Sequence, residues 1–164
     1  MTLDLIFIER IDDPSLVLTP QELANANKLS LPFERRQIAR QRVALENGQA
    51  AGLKLPRGIV LREGDVLRSA GQQYVRIEAA PEHVSRVQSH CARELARAAY
   101  HLGNRHVWVQ VGDQYLRYLH DHVLDDMLAG LGLSTTTELA PFEPEAGAYT
   151  DASGHSHGGK HHSH

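Results

Sequence analysis

The sequence predicts an α+β protein with two small domains and a terminal tail. Short apolar runs separated by turn residues fill the first half of the chain, a pattern that is typical of β structure. After Pro81, apolar residues recur at the spacing of a helix with one buried face. Residues 154–164 contain only Gly, Ser, His and Lys. We therefore expect a β domain at residues 1–76, a mixed domain at residues 77–143 and a disordered tail at residues 144–164.

Composition narrows the class of protein. A chain of 164 residues, of which 41% are hydrophobic, can bury a real core. The formal charge is -3 and the basic residues are scattered, which argues against a nucleic-acid partner. No apolar run is long enough to cross a bilayer, and Asp4, Glu9 and Arg10 interrupt the apolar start, so we expect neither a membrane span nor a signal peptide. A cytoplasmic protein is the natural expectation.

The chain has one cysteine, Cys91. A single cysteine excludes an internal disulfide framework and a zinc module built from several cysteines. The neighbours of Cys91 at helical spacing are apolar, so we expect it to be a small buried residue.

The first domain is expected to be all-β. The runs LDLIFIERI and LVLT lie on either side of an Asp-Pro-Ser turn, and QIARQRVAL, GIVLREGDVL and QQYVRIEA follow. Gly64 and Asp65 form a predicted turn. About 75 residues of β structure make a marginal core alone, so we expect this domain to pack on a neighbour.

The second domain is expected to begin with the strand VRIEA. A helix over residues 82–102, a strand over residues 106–111, a hairpin return at QYLRYL, a helix capped by Asp121 and a strand at TTTELAPF follow. This is the βαββαβ order of a ferredoxin-like domain. On the strand over residues 106–111, Val107, Val109 and Val111 are expected to share one face and His106 to lie on the other.

The tail GHSHGGKHHSH raises the question of metal binding. It holds five of the eleven histidines, namely His155, His157, His161, His162 and His164. Neutral imidazole is the commonest protein ligand for borderline metals such as Zn²⁺, Cu²⁺ and Ni²⁺. A purification tag is the alternative interpretation. Ser, Gly and Lys160 interrupt the histidines, whereas a tag usually has an unbroken run, so the pattern favours a native metal-binding segment.

Three more histidines are candidate ligands. His106 follows a tight turn at a strand start, and His120 and His122 lie on either side of Asp121 where a strand meets a helix. The chain has no H-E-x-x-H motif or other fixed ligand cage, and no serine or cysteine nucleophile pairs with these histidines. The pattern favours loading and release of a metal over catalysis, and a zinc hydrolase is the least favoured alternative.

The remaining histidines are less informative. His83 and His90 are expected to share one side of the first helix in solvent, and His101 is expected near the end of that helix, where a histidine can interact with the last carbonyls. Whether these three residues or Cys91 contribute metal ligands is left open by the sequence.

Two longer segments have a specific resemblance. YHLGNRHVWVQV at residues 100–111 and LRYLHDHVLDDMLAGLGL at residues 116–133 resemble the UreE family of urease accessory proteins, which are nickel metallochaperones. LPRGIVLREGDVL at residues 55–67 resembles the N-terminal domain of that family, and a His-rich end is similar to that of many members. The resemblance covers nearly the whole chain. It implies a homodimer that is not an enzyme and that delivers Ni(II) cargo toward apo-urease through the urease accessory GTPase.

The resemblance also implies roles for individual residues. It implies a peptide-binding-like N-terminal domain and a C-terminal domain in which His106 of both subunits forms an interfacial metal site. His120 and His122 would form peripheral sites, and the tail histidines would add ligands. Trp108 is a departure, because we expect proline there in many relatives, and it is expected to alter packing beside the site. Zn(II) or Cu(II) can compete, since imidazole binds both. The alternative function is a nickel or zinc store with no dedicated client.

Overall fold

The computed structural model describes residues 5–147 and confirms the predicted α+β class. Within that range ten strands form two sheets, and none of the helices is long and apolar enough to cross a membrane. The strands are β1 (Ile6–Ile11), β2 (Asn27–Leu31), β3 (Arg40–Ala44), β4 (Ala50–Lys54), β5 (Val66–Ser69), β6 (Tyr74–Ala79), β7 (Pro81–Gln88), β8 (Gln110–Gly112), β9 (Tyr115–Leu119) and β10 (Thr135–Pro141). The helices are α1 (Pro20–Asn25), α2 (Phe33–Arg36), α3 (Ala92–Asn104) and α4 (His122–Gly130), with a short 3₁₀ helix at Pro14–Leu16.

The first sheet has the order β2-β6-β5-β1-β4-β3. β1 pairs with β4, and β2 with β6, in parallel, and the other neighbours are antiparallel. Phe7 of β1 is buried in an apolar core, while Ile6 and Ile8 on the same strand point away from it and are exposed. That alternation is the period of a strand with one buried face.

The first domain is not all-β, because it contains the 3₁₀ helix, α1 and α2, and the prediction was wrong in these three short segments. Thr19 and Glu22 form a capping box that starts α1: the Glu22 amide donates to Thr19 Oγ1 (3.3 Å), and the Thr19 amide donates to Glu22 Oε2 (2.8 Å). The predicted strand LVLT begins instead in the 3₁₀ turn, where Asp13 Oδ1 accepts a hydrogen bond from the Ser15 amide (3.0 Å). Local side-chain caps therefore override the apolar pattern here.

The second sheet has the order β10-β7-β9-β8 and is antiparallel throughout. In chain order its elements run strand, helix, strand, strand, helix, strand. The predicted hairpin between β8 and β9 and the predicted last strand β10 are both present. Side chains from the sheet and from both helices form one core: Val87, Ala98, Leu102, Leu116, Tyr118, Leu124, Leu128 and Leu133.

The first strand of this sheet was predicted in the wrong place. VRIEA lies in β6 of the first sheet, so the predicted division at residues 76/77 falls inside that strand, and the predicted helix over residues 82–102 is β7 followed by α3. β7 is apolar on both faces, because Val84 packs against Phe33 and Phe142 while Val87 packs in the core beneath the helices. A strand buried on both faces has no clean alternation, and its valines matched helical spacing by coincidence.

Cys91 is exposed, which corrects the expectation that it is buried. It is the N-cap residue of α3, and its amide donates to Ser89 Oγ (2.9 Å). The strand-to-helix junction places it at the surface, where the predicted continuous helix would have turned it inward.

An aromatic cluster joins the two sheets. The Phe33 ring contacts Phe142 and Trp108 edge to face, with centroid distances of 5.7 and 5.2 Å. The Phe33 amide also donates to Glu82 Oε2 on β7 (2.8 Å). This cluster supplies the neighbour on which the first domain was expected to pack.

Candidate metal-binding site

Two of the predicted ligands line one open cleft on the second domain. The cleft lies where the end of α3, the end of β9 and the start of α4 meet. Its lining residues are His106, Val107, Trp108, Leu119, His120, Asp121 and Leu124. Trp108 and Leu119 are exposed apolar residues, so the two imidazoles stand on a partly apolar surface.

His106 is held by the way α3 ends. The His106 amide donates to the Gly103 carbonyl (2.9 Å) and the Val107 amide to the Leu102 carbonyl (3.2 Å), which is the hydrogen-bond pattern of a Schellman motif. In this motif the residue after the C-cap adopts a left-handed conformation and is usually glycine. Here it is His106, with φ of 58°. Leu102 and Val107 pack in the same core, so the reversal of the chain is fixed by apolar contact as well.

The predicted strand over residues 106–111 is therefore too long. The helix-ending motif occupies the chain up to Val107, and the strand starts only at Gln110. Val107 and Val109 pack against the core as expected, but Val111 is exposed. Trp108 is the departure noted from the sequence. Its contact with Phe33 ties the loop after His106 to the first domain.

Among residues 5–147, the imidazole of His120 has partners at its Nδ1 nitrogen and none at Nε2. Its Nδ1 lies 3.0 Å from Ser85 Oγ, 3.3 Å from Asp125 Oδ2 and 3.5 Å from Thr137 Oγ1. The backbone amide of His120 donates to the His83 carbonyl (3.0 Å) on β7. The side chain nevertheless remains 41% exposed. Such a ring is oriented by the protein and still accessible to a ligand.

Tyr118 supports this arrangement from the core. Its hydroxyl donates to Asp125 Oδ1, on the opposite side of the carboxylate from His120. Burial, and then the hydrogen bond to Asp125, raises the pKa of Tyr118 well above its ordinary value. The phenol therefore stays protonated and keeps its role as a donor.

His122 is placed differently from His120. It is the first residue of α4 and is exposed, outside the residues that line the cleft. The predicted helix cap is confirmed, because Asp121 Oδ1 accepts a hydrogen bond from the Val123 amide (2.8 Å). The tail histidines, His155, His157, His161, His162 and His164, lie outside the described residues.

The other histidines do not share a helix face as predicted. His83 lies on β7 and His90 in the loop before α3, and both are exposed. His101 lies in the last turn of α3 with its ring edge-on to Tyr100 at 5.2 Å. Within residues 5–147 of one chain, no three His, Cys, Asp or Glu side chains are grouped closely enough to hold a metal ion.

Arg36, a buried arginine that the sequence did not single out, holds the segment after β10 against the first domain. The Arg36 guanidinium is fully buried, donates to the Leu61 carbonyl (3.3 Å) and the Phe142 carbonyl, and pairs with Glu143. In the sequence it belongs to the charged run FERRQ and resembles a solvated residue. No local pattern distinguishes it from Arg35, which is exposed.

The contacts continue into the segment that was predicted to be disordered. Arg62 Nη1 donates to the Pro144 carbonyl (2.6 Å), and the Glu145 amide donates to the Val109 carbonyl (2.8 Å). Disorder from residue 144 is therefore wrong for Pro144 and Glu145. These bonds bring the chain leading to the tail beside the loop that carries His106 and Trp108.

Comparison with known proteins identifies the family. The sequence-family model for the N-terminal domain of the UreE urease accessory protein matches residues 8–80. The family model for its C-terminal domain matches residues 82–164. The urease accessory protein UreE of Alkalilimnicola ehrlichii is 53% identical over 130 residues, which cover 79% of this chain and 80% of that protein. That of Pseudomonas putida strain W619 is 50% identical over 149 residues, covering 90% and 88%. That of Proteus mirabilis is 53% identical over 121 residues, covering 74% and 75%. The chain therefore belongs to the UreE family of urease accessory proteins.

Proposed function

We propose that the protein is a cytoplasmic homodimeric metallochaperone that binds Ni²⁺ and delivers it for assembly of the urease active site. Family membership supports the role in urease maturation, because the relatives are named urease accessory proteins. Metal binding rests on one observation above all, the cleft that brings His106 and His120 together. Two imidazoles open to water can take up a borderline metal and release it again. The protein itself catalyses no reaction in this proposal.

We infer that His106 of each protomer meets at a dimer interface. A two-fold axis brings the same residue of both chains together, so a single histidine can supply two ligands. The exposed Trp108 and Leu119 beside His106 support this arrangement, since apolar side chains at the rim of a polar site favour cover by another protein surface. His120, His122 and the tail histidines would provide further, weaker sites.

We also propose that the second domain is ferredoxin-like and begins at Pro81. The strand order β10-β7-β9-β8, fully antiparallel, and the alternation of strands and helices along the chain support this topology. The first domain would then end at Ala79, with Ala80 as the junction.

The first domain offers a surface for a protein partner. Ile6 and Ile8 are exposed on β1 and line a shallow cleft with Lys54 and Ser69. We propose that this peptide-binding-like domain contacts the urease maturation machinery, including the urease accessory GTPase and apo-urease.

A metal store is the alternative function, and partner binding separates the two. A chaperone should bind the urease accessory GTPase more tightly when loaded with Ni²⁺, whereas a store has no metal-dependent client. The experiment is a pull-down of the purified GTPase with the full chain, with and without Ni²⁺. Equal capture in both conditions would favour the store. Zn²⁺ and Cu²⁺ should be included, because the usual affinity order places Cu²⁺ above Ni²⁺ and selectivity must then come from supply and partner.

Removing residues 154–164 is expected to lower the number of Ni²⁺ ions bound per dimer and to leave folding and dimerisation unchanged. The segment contains five histidines and no apolar residue that could contribute to a core. Mass measurement under native conditions during Ni²⁺ titration gives the oligomer and the metal count together. A matched control replaces the five histidines by serine at full length, and it should lose the same ions. Loss of the dimer in either variant would contradict the prediction.

A further inference from the structure

The ring of His120 carries information about which nitrogen is free for a metal. Within residues 5–147, oxygen atoms of Ser85, Asp125 and Thr137 contact the ring, and each of them lies near Nδ1. In a neutral imidazole one ring nitrogen carries the proton and the other has a lone pair. A partner that accepts a hydrogen bond from Nδ1 leaves the lone pair on Nε2, whereas a partner that donates to Nδ1 leaves the proton on Nε2. The identity of the Nδ1 partner therefore decides whether Nε2 can bind a metal ion.

Asp125 is the charged group beside Nδ1, and its carboxylate favours a ring that carries its proton on that nitrogen. A hydroxyl such as that of Ser85 or Thr137 can donate or accept, but an ionised carboxylate can only accept. Asp125 Oδ2 lies 3.3 Å from Nδ1, while its Oδ1 accepts the hydroxyl of Tyr118. Because Tyr118 is buried and stays protonated, the carboxylate is held from behind and presents its second oxygen to the ring. The proton then belongs on Nδ1.

The backbone keeps donor and acceptor in register. The Asp125 amide donates to the carbonyl of Asp121 (3.0 Å), within the first turn of α4. Asp121 is the residue that directly follows His120. The His120 amide is bonded to His83 on β7. Both ends of the interaction are thus attached to separate elements of the same core. His122, two residues further on, is exposed at the start of the helix and has no such hydrogen bond within residues 5–147.

We propose that Asp125 is a positioning residue for metal binding, which accepts the Nδ1 proton of His120 and reserves Nε2 of that ring for the metal ion. The inference rests on the proposed function, because it takes His120 to be a ligand. Histidines that bind metals commonly donate their other ring nitrogen to a carboxylate, which sets the tautomer and the ring orientation. A ring held in this way loses less freedom when the metal arrives.

Nitrogen-edited NMR of the metal-free full chain tests the tautomer directly. At about pH 8, where histidine is ordinarily neutral, His120 of the wild type should be protonated on Nδ1. Asp125→Asn should abolish this preference, because an amide can donate as well as accept. Asp126→Asn is the matched control: Asp126 is the exposed neighbour on the same helix, and its replacement should leave the His120 signals unchanged.

Titration with Zn²⁺, a diamagnetic probe, then gives the affinity of His120 from its own ring signals. Asp125→Asn should weaken Zn²⁺ binding at this histidine by about tenfold or more, and Asp126→Asn should not. Tyr118→Phe should shift tautomer and affinity in the same direction by less, and it serves as the second variant if Asp125→Asn fails to fold. An Nε2-protonated ring in the wild type, or an unchanged tautomer in Asp125→Asn, would overturn the inference while leaving nickel binding intact. If instead the tautomer is as expected but His120→Ala binds Zn²⁺ and Ni²⁺ like the wild type, the failure lies in the proposed ligand role.

Discussion

Replacing His106 with alanine is expected to abolish the tightest Ni²⁺ site of the proposed dimer. If the same residue comes from both protomers, one substitution removes two ligands at once. His120→Ala and His122→Ala should remove only weaker sites, because the proposed two-fold axis brings together His106 and not these residues, and His122 is also outside the cleft. Calorimetric titration with Ni²⁺ at about pH 7 compares the three variants. Retention of the tightest site in His106→Ala would show that the interface lies elsewhere.

His106→Gly is the control that separates metal binding from folding. The left-handed backbone at this position strains alanine but not glycine, so the glycine variant should be more stable than the alanine variant by about 1 kcal/mol. Both variants should lose the same Ni²⁺ site.

Lowering the pH to about 5.5 should also weaken Ni²⁺ binding to the wild type, since a protonated imidazole cannot bind a metal. Binding that is indifferent to this change would exclude histidine as the main ligand.

Arg36→Ala is expected to lower the free energy of unfolding by about 3 kcal/mol. This should be the largest loss caused by replacing any one of the charged residues that the sequence suggests are solvated. The arginine is 0% exposed, and its removal leaves a cavity and deprives the Leu61 and Phe142 carbonyls of a donor. Glu143 is partly exposed, so water can hydrate its carboxylate once Arg36 is removed. The expected loss of stability is therefore at the lower end of the range for breaking a buried ion pair. Urea denaturation of the metal-free protein measures the change.

Arg62→Ala is the matched control for this prediction. Arg62 also lies near Phe33, pairs with Glu143 (3.8 Å) and donates to the Pro144 carbonyl, but its side chain is 27% exposed, so its ion pair should add little. We expect a loss of about 1 kcal/mol, the usual contribution of a single hydrogen bond. Equal losses in the two variants would contradict the larger stabilisation that we assign to the buried guanidinium of Arg36.

The parts of the fold that the sequence predicts are those determined by local chemistry. Asp121 before an apolar stripe predicts the cap of α4, and the turn after Gly112 predicts the hairpin of β8 and β9. The capping box at Thr19 and Glu22 has a sequence signature as well, but the apolar run LVLT beside it also matches a strand. The sequence did not predict β7 because both faces of this strand are buried, one against each domain. Its apolar residues therefore do not alternate with polar ones.

The candidate site shows the same limit. Imidazole chemistry and the family resemblance were sufficient to single out His106 and His120 as candidates. The partners of His120 were not predictable, because Ser85 lies 35 residues away and meets the ring only through the pairing of β7 with β9. Asp125 lies in the first turn of a predicted helix, where an acidic residue has a local explanation, and only the tertiary structure places Tyr118 on one side of its carboxylate and His120 on the other.

The left-handed backbone conformation of His106 limits the types of residue that can replace it during evolution. Few side chains are found at positive φ: glycine is the most tolerant, and asparagine, aspartate and histidine follow, while branched and bulky residues are strongly disfavoured. Among these four, histidine alone offers a neutral nitrogen donor suited to nickel. In the proposed function, the helix ending and the metal therefore make separate demands on position 106 that only one of those four residues satisfies, and a glycine that relaxes the turn would remove the proposed ligand.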